Sequence, residues 1–66
     1  MDNIVETYGP IPIYKEGDYF YILCRDRNGD EHKIHSMYLP ALKRKITQSF
    51  KYDNLKWNGQ YVYIYF

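Results

Sequence analysis

The sequence has only one cysteine, Cys24, so the chain cannot form the internal disulfide bonds that hold many small secreted domains together. It also has no apolar run long enough to span a bilayer, and its first residues lack the basic and apolar regions of a signal peptide. We therefore expect a cytoplasmic protein without a membrane partner.

An excess of one charge is also missing. Nine basic residues are offset by eight acidic ones, which leaves a formal net charge of +1 at pH 7. Nonspecific DNA binding depends on a broad positive field, because most of its affinity comes from phosphate contacts. The net charge therefore gives no support to that class of function.

Motifs for catalysis or cofactor binding are absent as well. Cys24 and His32 face each other in the strand register predicted below, and His35 points to the opposite face. A nucleophilic cysteine also needs an oriented base and an oxyanion donor, and structural zinc needs four ligands. A chain of 66 residues is too short to fill a core and also build a water-excluding pocket. We expect no enzyme activity, no cofactor and no metal ion.

Tyrosine is what the chain has in excess. Nine tyrosines, three phenylalanines and one tryptophan accompany a single alanine, Ala41. Tyrosine and tryptophan are enriched in binding hot spots because they offer large, rigid contact areas with a polar handle. The composition also favours residues with A/T-rich codons, which fits a compact gene from an A+T-rich bacterium, a phage or an archaeal virus. Together with the small size and the aromatic residues, it suits a phage or mobile-element protein.

The C-terminal segment predicts a β-hairpin. Asn58-Gly59 between two apolar runs indicates a two-residue type I′ turn, because both residues tolerate positive φ. The pairs that this turn predicts are Trp57 with Gln60, Leu55 with Val62, and Asp53 with Ile64.

The strand after this turn has one apolar face and one tyrosine face. Side chains alternate along a strand, so the predicted tyrosine row is Tyr61, Tyr63 and Tyr65, and the apolar row is Val62, Ile64 and Phe66. Exposed strands usually carry a lysine or proline that blocks edge pairing, and none follows Gln60. We therefore expect this strand to be covered, either inside the sheet or by a second copy of the chain in a homodimer.

The first third of the chain predicts one turn and one restricted strand. Residues 1–8 show no clear period and leave room for a flexible lead-in. Pro10 and Pro12 remove two donors from the segment up to Tyr14, which limits it to an edge strand or an extended arm. Gly17 then supplies the positive φ of a turn into the next strand.

The two strands that follow, up to Ser36, form a hairpin with two competing registers. A two-residue turn would set Asp26 opposite Glu31, whereas a three-residue turn with Gly29 in the left-handed region sets Arg25 opposite Glu31. We choose the second register because it avoids a like-charge pair. It pairs Ile22 with Ile34 and Cys24 with His32. The inner face then carries Phe20, Ile22, Cys24 and Ile34, and the outer face carries Tyr21, Arg25, Glu31, Lys33 and His35.

One amphipathic helix is predicted from Pro40 to Phe50. Proline suits the first helical turn, and Leu42, Ile46 and Phe50 recur at the spacing of an apolar stripe. The whole sequence thus predicts one α+β domain over residues 1–66. Its about five strands, in the order β-β-β-α-β-β, would form a small, mostly antiparallel sheet or open barrel.

Two function hypotheses follow. The preferred one is a small noncatalytic module that binds and inhibits a host protein, with Trp57, Tyr61, Tyr63 and Tyr65 as partner-binding residues. Trp57 is equally suited to the edge of the core. The alternative is a single-stranded nucleic-acid-binding protein in which the tyrosine row stacks on bases. Its phosphate contacts would come from Lys43, Arg44, Lys45, Lys51 and Lys56.

Overall fold

The computed structural model describes residues 3–64, which form six strands and one helix. In chain order these are β1 (Asn3–Tyr8), β2 (Ile11–Glu16), β3 (Tyr19–Arg25), β4 (Glu31–Ser36), α1 (Leu39–Lys51), β5 (Leu55–Trp57) and β6 (Val62–Ile64). The strands build one curled half-barrel sheet, so the fold is α+β, as predicted. All pairs between these strands are antiparallel except the pair of β3 with β6.

The sequence predicted about five strands, whereas residues 3–64 form six, and the additional strand is β1. Tyr8 and Ile11 pair across a two-residue connection, in which Gly9 has a φ of +60°. A type II′ turn needs glycine with positive φ at its first central position, and the fixed φ of Pro10 suits its second. The flexible lead-in is therefore wrong for Asn3–Tyr8, because the Gly-Pro turn folds this segment back onto β2.

β2 is paired on both edges, which corrects the expectation of an edge strand or extended arm. β1 covers one edge from Ile11 to Lys15, and β3 covers the other edge from Tyr14 to Glu16. Pro12, which has no N–H to donate, lies beyond the last pair with β3. β2 accommodates Pro12 because β2 is not paired with β3 at this residue, so no hydrogen bond from a Pro12 N–H is needed there.

β2 pairs with the first part of one edge of β3, and β6 pairs with the rest of that edge. Cys24 pairs with Val62 and Arg25 with Tyr63, both in parallel. The strands β2 and β6 thus share one edge of β3 and separate between Tyr21 and Cys24. We call this separation the fork.

The hairpin of β3 and β4 has the register that the charge argument selects. Arg25 lies opposite Glu31, Ile22 opposite Ile34 and Cys24 opposite His32. Gly29 has a φ of +84°, and its N–H donates to the carbonyl oxygen of Asp26 at 3.0 Å. The three-residue turn is confirmed. The expected turn between β2 and β3 is confirmed too, with Gly17 at a φ of +57°.

The helix covers the inner face of the sheet with the predicted stripe. Leu42 and Ile46 are fully buried, and Phe50 packs against the same cluster. α1 begins one residue earlier and ends one residue later than predicted. Within residues 3–64, no helix is long and apolar enough to cross a membrane. The core cluster consists of Ile11, Ile13, Ile22, Cys24, Leu42, Ile46, Leu55 and Val62.

The terminal hairpin forms, but its predicted register is wrong by two residues. Its loop has four residues rather than two, because the side-chain oxygen of Asn58 accepts hydrogen bonds from the N–H groups of Gln60 and Tyr61, each at 2.9 Å. The observed pairs are Leu55 with Ile64, Lys56 with Tyr63, and Trp57 with Val62. Since the shift is even, the side chains stay on their predicted faces.

β6 is covered inside the sheet, which was the first of the two expected arrangements. It lies between β3 and β5, so Val62 and Tyr63 are paired on both edges, and Ile64 is paired with Leu55. Pairing with a second copy is not needed to cover Val62 and Tyr63. The homodimer stays a prediction, and the described part of the terminal strand gives it no support.

The helix ends in a left-handed residue that is not glycine. Asp53 has a φ of +62°, the N–H of Asn54 donates to the carbonyl oxygen of Ser49 at 2.8 Å, and that of Asp53 donates to Phe50 at 3.2 Å. This pair of bonds is the Schellman pattern, in which glycine is preferred at the position of Asp53.

We predict that the variant Asp53→Gly is more stable than Asp53→Ala by about 1 kcal/mol, because a β-carbon is strained in the left-handed region. Both variants lose the carboxylate that pairs with Lys56 at 2.8 Å, so they differ only in the backbone term. Urea unfolding followed by circular dichroism measures the difference. Equal midpoints would contradict the positive φ at this position.

Candidate functional site

The fork opens a cleft of about 170 Å³ in the sheet. Its walls come from the start of β2, the end of β3 and the β5–β6 loop. For comparison, an engineered apolar cavity of about 150 Å³ holds benzene. The cleft therefore has room for one aromatic or large aliphatic side chain. The lining residues on which the site depends are Pro12, Tyr14, Arg25, Glu31, Trp57 and Tyr61.

Trp57 serves the core and the cleft at once. It is half-buried, packs against the core cluster and lines the cleft at the end of β5. The sequence left its role open between core edge and binding anchor. Its position combines the two, because packing against the core fixes a ring that also forms a wall of the cleft.

Tyr61 lies in the β5–β6 loop and is 40% exposed. The guanidinium of Arg25 lies 5.5 Å from the centre of its ring, and Nη1 of Arg25 donates to the carbonyl oxygen of Gly29 at 3.0 Å. A cation over an aromatic face is attracted by the ring quadrupole. The contact joins the β5–β6 loop to the β3–β4 turn at one side of the cleft.

Of the predicted tyrosine row, the structure describes Tyr61 and Tyr63, and these two do not lie on one strand. Tyr61 belongs to the loop, whereas Tyr63 is half-buried on β6, between Arg25 and Lys56 in the strand register. Tyr65 lies outside the described residues. Of the predicted partner-binding residues, the cleft brings together Trp57 and Tyr61.

A different tyrosine cluster was missed, on the outer face of β2 and β3. The rings of Tyr14 and Tyr21 stack with centres 5.3 Å apart, and Tyr19 lies 5.8 Å from Tyr21. Lys33 covers Tyr21 at 4.4 Å, and His35 meets Tyr19 edge-on at 5.5 Å. Tyr21 is fully buried although it faces away from the helix. Alternation from the Gly17 turn would have placed the three tyrosines on one face.

Tyr14 connects this cluster to the cleft. It stacks on Tyr21 on one side and lines the cleft together with Trp57 and Tyr61. The buried ring of Tyr21 thus supports one wall of the cleft. The sequence did not predict four of the cleft-lining residues named above: Pro12, Tyr14, Arg25 and Glu31. Their place in the cleft depends on β2 and β6 pairing with different parts of the same β3 edge.

The helix cations proposed for phosphate contact lie on the side of the sheet that α1 covers. Lys43 pairs with Glu6 of β1, Nζ of Lys45 donates to the carbonyl oxygen of His35 at 3.0 Å, and Lys51 lies 5.9 Å from the ring of Tyr52. Arg44 is exposed on the helix. Only Lys56, which pairs with Asp53, shares the outer face with Tyr63. The predicted combination of basic helix and tyrosine row is therefore not one surface.

The residues considered for metal binding or nucleophilic chemistry have structural contacts. Oδ1 of Asp26 accepts hydrogen bonds from the N–H groups of Asn28 and Asp30, and its Oδ2 lies 2.8 Å from Nε2 of His32. The hydrogen bond with His32, followed by those from the backbone, lowers the pKa of Asp26. In the described part of the chain, no group of three or more potential ligands surrounds a metal position.

Cys24 lies in the core beneath this turn. It is 1% exposed, and its thiol donates to the carbonyl oxygen of His32 at 3.6 Å. Burial raises the pKa of Cys24, and the negative charges of Asp26 and Glu31 add to the effect. Since the thiolate is the reactive form, these surroundings suppress nucleophilic chemistry.

Comparisons with known proteins give no match, whether with family models, curated proteins or solved structures. The candidate site therefore rests on the geometry of the cleft.

The lowered pKa of Asp26 predicts a pH dependence of stability. A carboxyl group with a depressed folded-state pKa stabilises the fold above its unfolded value, here 3.8, and this contribution disappears as the pH falls through the folded value. The stability difference between wild type and Asp26→Asn should therefore be largest at neutral pH and shrink as the pH falls below 3.8. Urea titrations at a series of pH values measure it; a constant difference would be the contrary result.

We also predict that Cys24 resists alkylation in the native protein, because its thiol is buried and its pKa is raised. Iodoacetamide labelling followed by mass spectrometry should be slow in buffer and fast in urea. Equal rates in the two conditions would show that the thiol is accessible in the folded state.

Proposed function

We propose that this protein is a noncatalytic binding module that recognises another protein through the cleft at the fork. The observation that carries the proposal is the convergence of Trp57, Tyr61 and Tyr14 around a space of about 170 Å³. Interface hot spots are commonly aromatic residues in well-packed pockets, where a partner side chain is fully desolvated.

The support of the walls also favours a binding role. Trp57 is packed against the core, Tyr14 is stacked on the buried Tyr21, and Tyr61 is held beside Arg25. A wall fixed before binding loses little conformational entropy when the partner arrives. The loss of conformational entropy in the walls then offsets less of the favourable binding energy of an inserted side chain.

No observation favours the nucleic-acid alternative to the same degree. Its basic helix and its tyrosines lie on opposite sides of the sheet, and Lys43, Lys45 and Lys56 have polar or charged contacts within the chain. A stacking surface for single strands combines aromatic rings with a continuous cationic groove.

The biological setting of the proposal is a phage or mobile-element protein that inhibits or modulates a host protein in the cytoplasm. Three features support this setting: the bias toward residues with A/T-rich codons, the small size, and a cysteine without a disulfide partner. A homodimer remains part of the proposal as a way to enlarge the contact area.

A pull-down with cleft variants tests the proposal. The variants Tyr61→Ala and Trp57→Phe remove contact area while the buried core residues stay unchanged, and Tyr38→Ala is the matched control because Tyr38 is exposed before α1. From a nuclease-treated bacterial lysate, wild type and the control should retain the same protein. The cleft variants should retain it at least about tenfold less, as expected for loss of a hot-spot contact.

Circular dichroism checks that each variant is folded. A protein retained equally by all four forms would reject the cleft as the binding site. Retention that disappears with nuclease would favour the nucleic-acid alternative instead, and its steep salt dependence would provide the second check.

A further inference from the structure

We propose that the cleft takes a proline-rich segment in the polyproline II conformation, with a basic residue next to the prolines. This inference rests on the proposed protein-binding function and specifies the partner. It follows from the chemistry of the walls, the size of the space and the charges beside it.

The walls combine flat apolar surfaces with hydrogen-bond donors. Tyr14, Trp57 and Tyr61 each carry an aromatic ring and one O–H or N–H group, and Pro12 adds a rigid apolar surface. A polyproline II segment has no internal hydrogen bonds, so its carbonyl oxygens are available to such donors. Aromatic-lined grooves recognise proline-rich segments by this combination, with pyrrolidine rings packed against the aromatic faces.

The size of the cleft favours an extended segment over a helix. A helix that docks in a groove needs space for anchors at positions i, i+3, i+4 and i+7. The volume of about 170 Å³ is that of a single large side chain. Polyproline II returns to the same side every third residue and is already ordered before binding, so one or two rings can fill the cleft at low entropic cost.

The charges beside the cleft favour a cationic neighbour. Arg25 is engaged with the ring of Tyr61 and the carbonyl oxygen of Gly29. Glu31 lines the cleft, is exposed, and forms no ion pair or side-chain hydrogen bond within residues 3–64. Glu31 is therefore the acidic group at the cleft that a lysine or arginine of the ligand would contact.

The test uses Trp57, which is the only tryptophan of the chain and therefore reports on the cleft by its fluorescence. The probes are polyproline peptides of about ten residues that end in arginine or in glutamate, and an arginine-ended peptide with alanine in place of proline. We expect saturable binding of the arginine-ended polyproline. Affinity should be about 2- to 5-fold weaker for the glutamate-ended form, and at least about tenfold weaker for the alanine form.

The variants Glu31→Gln and Tyr61→Ala provide matched controls. Glu31→Gln should remove the preference for the arginine-ended peptide, Tyr61→Ala should weaken the binding of both polyproline peptides, and Tyr38→Ala should change neither. If folded wild type fails to bind polyproline but still captures a protein in a cleft-dependent manner, this inference is wrong and the proposed function stands. If cleft-dependent capture is absent as well, both are wrong.

Discussion

The shared edge of β3 is the constraint on which the rest of the structure depends. One half of this edge pairs with β2 and the other half with β6, so the sheet must divide where the two strands separate. Pro12 lies at this point. Because proline has no backbone N–H, Pro12 could not donate a hydrogen bond to a neighbouring strand, and the gap therefore costs no such bond. The gap becomes the cleft because Trp57 and Tyr61 approach from the other side. A restriction on backbone hydrogen bonding thus creates the concave surface that we assign to binding.

The two faces of the sheet are stabilised by different means. The inner face buries aliphatic side chains against Leu42 and Ile46 of the helix. Within residues 3–64 no helix covers the outer face, and its central residue Tyr21 is buried by Tyr14, Tyr19 and Lys33. In a chain of 66 residues, a single core gives little stability, and this second cluster adds apolar burial on the opposite side of the sheet. The same cluster supports a wall of the cleft through Tyr14, so stability and the proposed binding function share residues.

The sequence correctly predicted the elements whose structure depends on residues close together in the chain. The β3–β4 register followed from the charges of Arg25, Asp26 and Glu31, and the helix followed from its apolar stripe. Two local signals were misjudged: Gly9-Pro10 is a hairpin turn, and the side chain of Asn58 forms a longer loop than Asn-Gly usually does. The parallel pairing of β3 with β6 joins segments far apart in the chain, which local periodicity cannot reveal. For that reason the sequence predicted Trp57 and Tyr61 as partner-binding residues but could not place them beside Pro12 and Tyr14 in one cleft.

The central claim is that the fork forms the binding surface. The most direct test is a ¹H–¹⁵N NMR titration of the labelled protein with the protein partner that wild type retains. Our account predicts that the largest shifts occur at the amides of Leu23 and Tyr61 and at the indole N–H of Trp57, which all belong to residues that line the cleft. Shifts concentrated on Arg44 and the neighbouring exposed residues of α1, with the cleft signals unchanged, would contradict it.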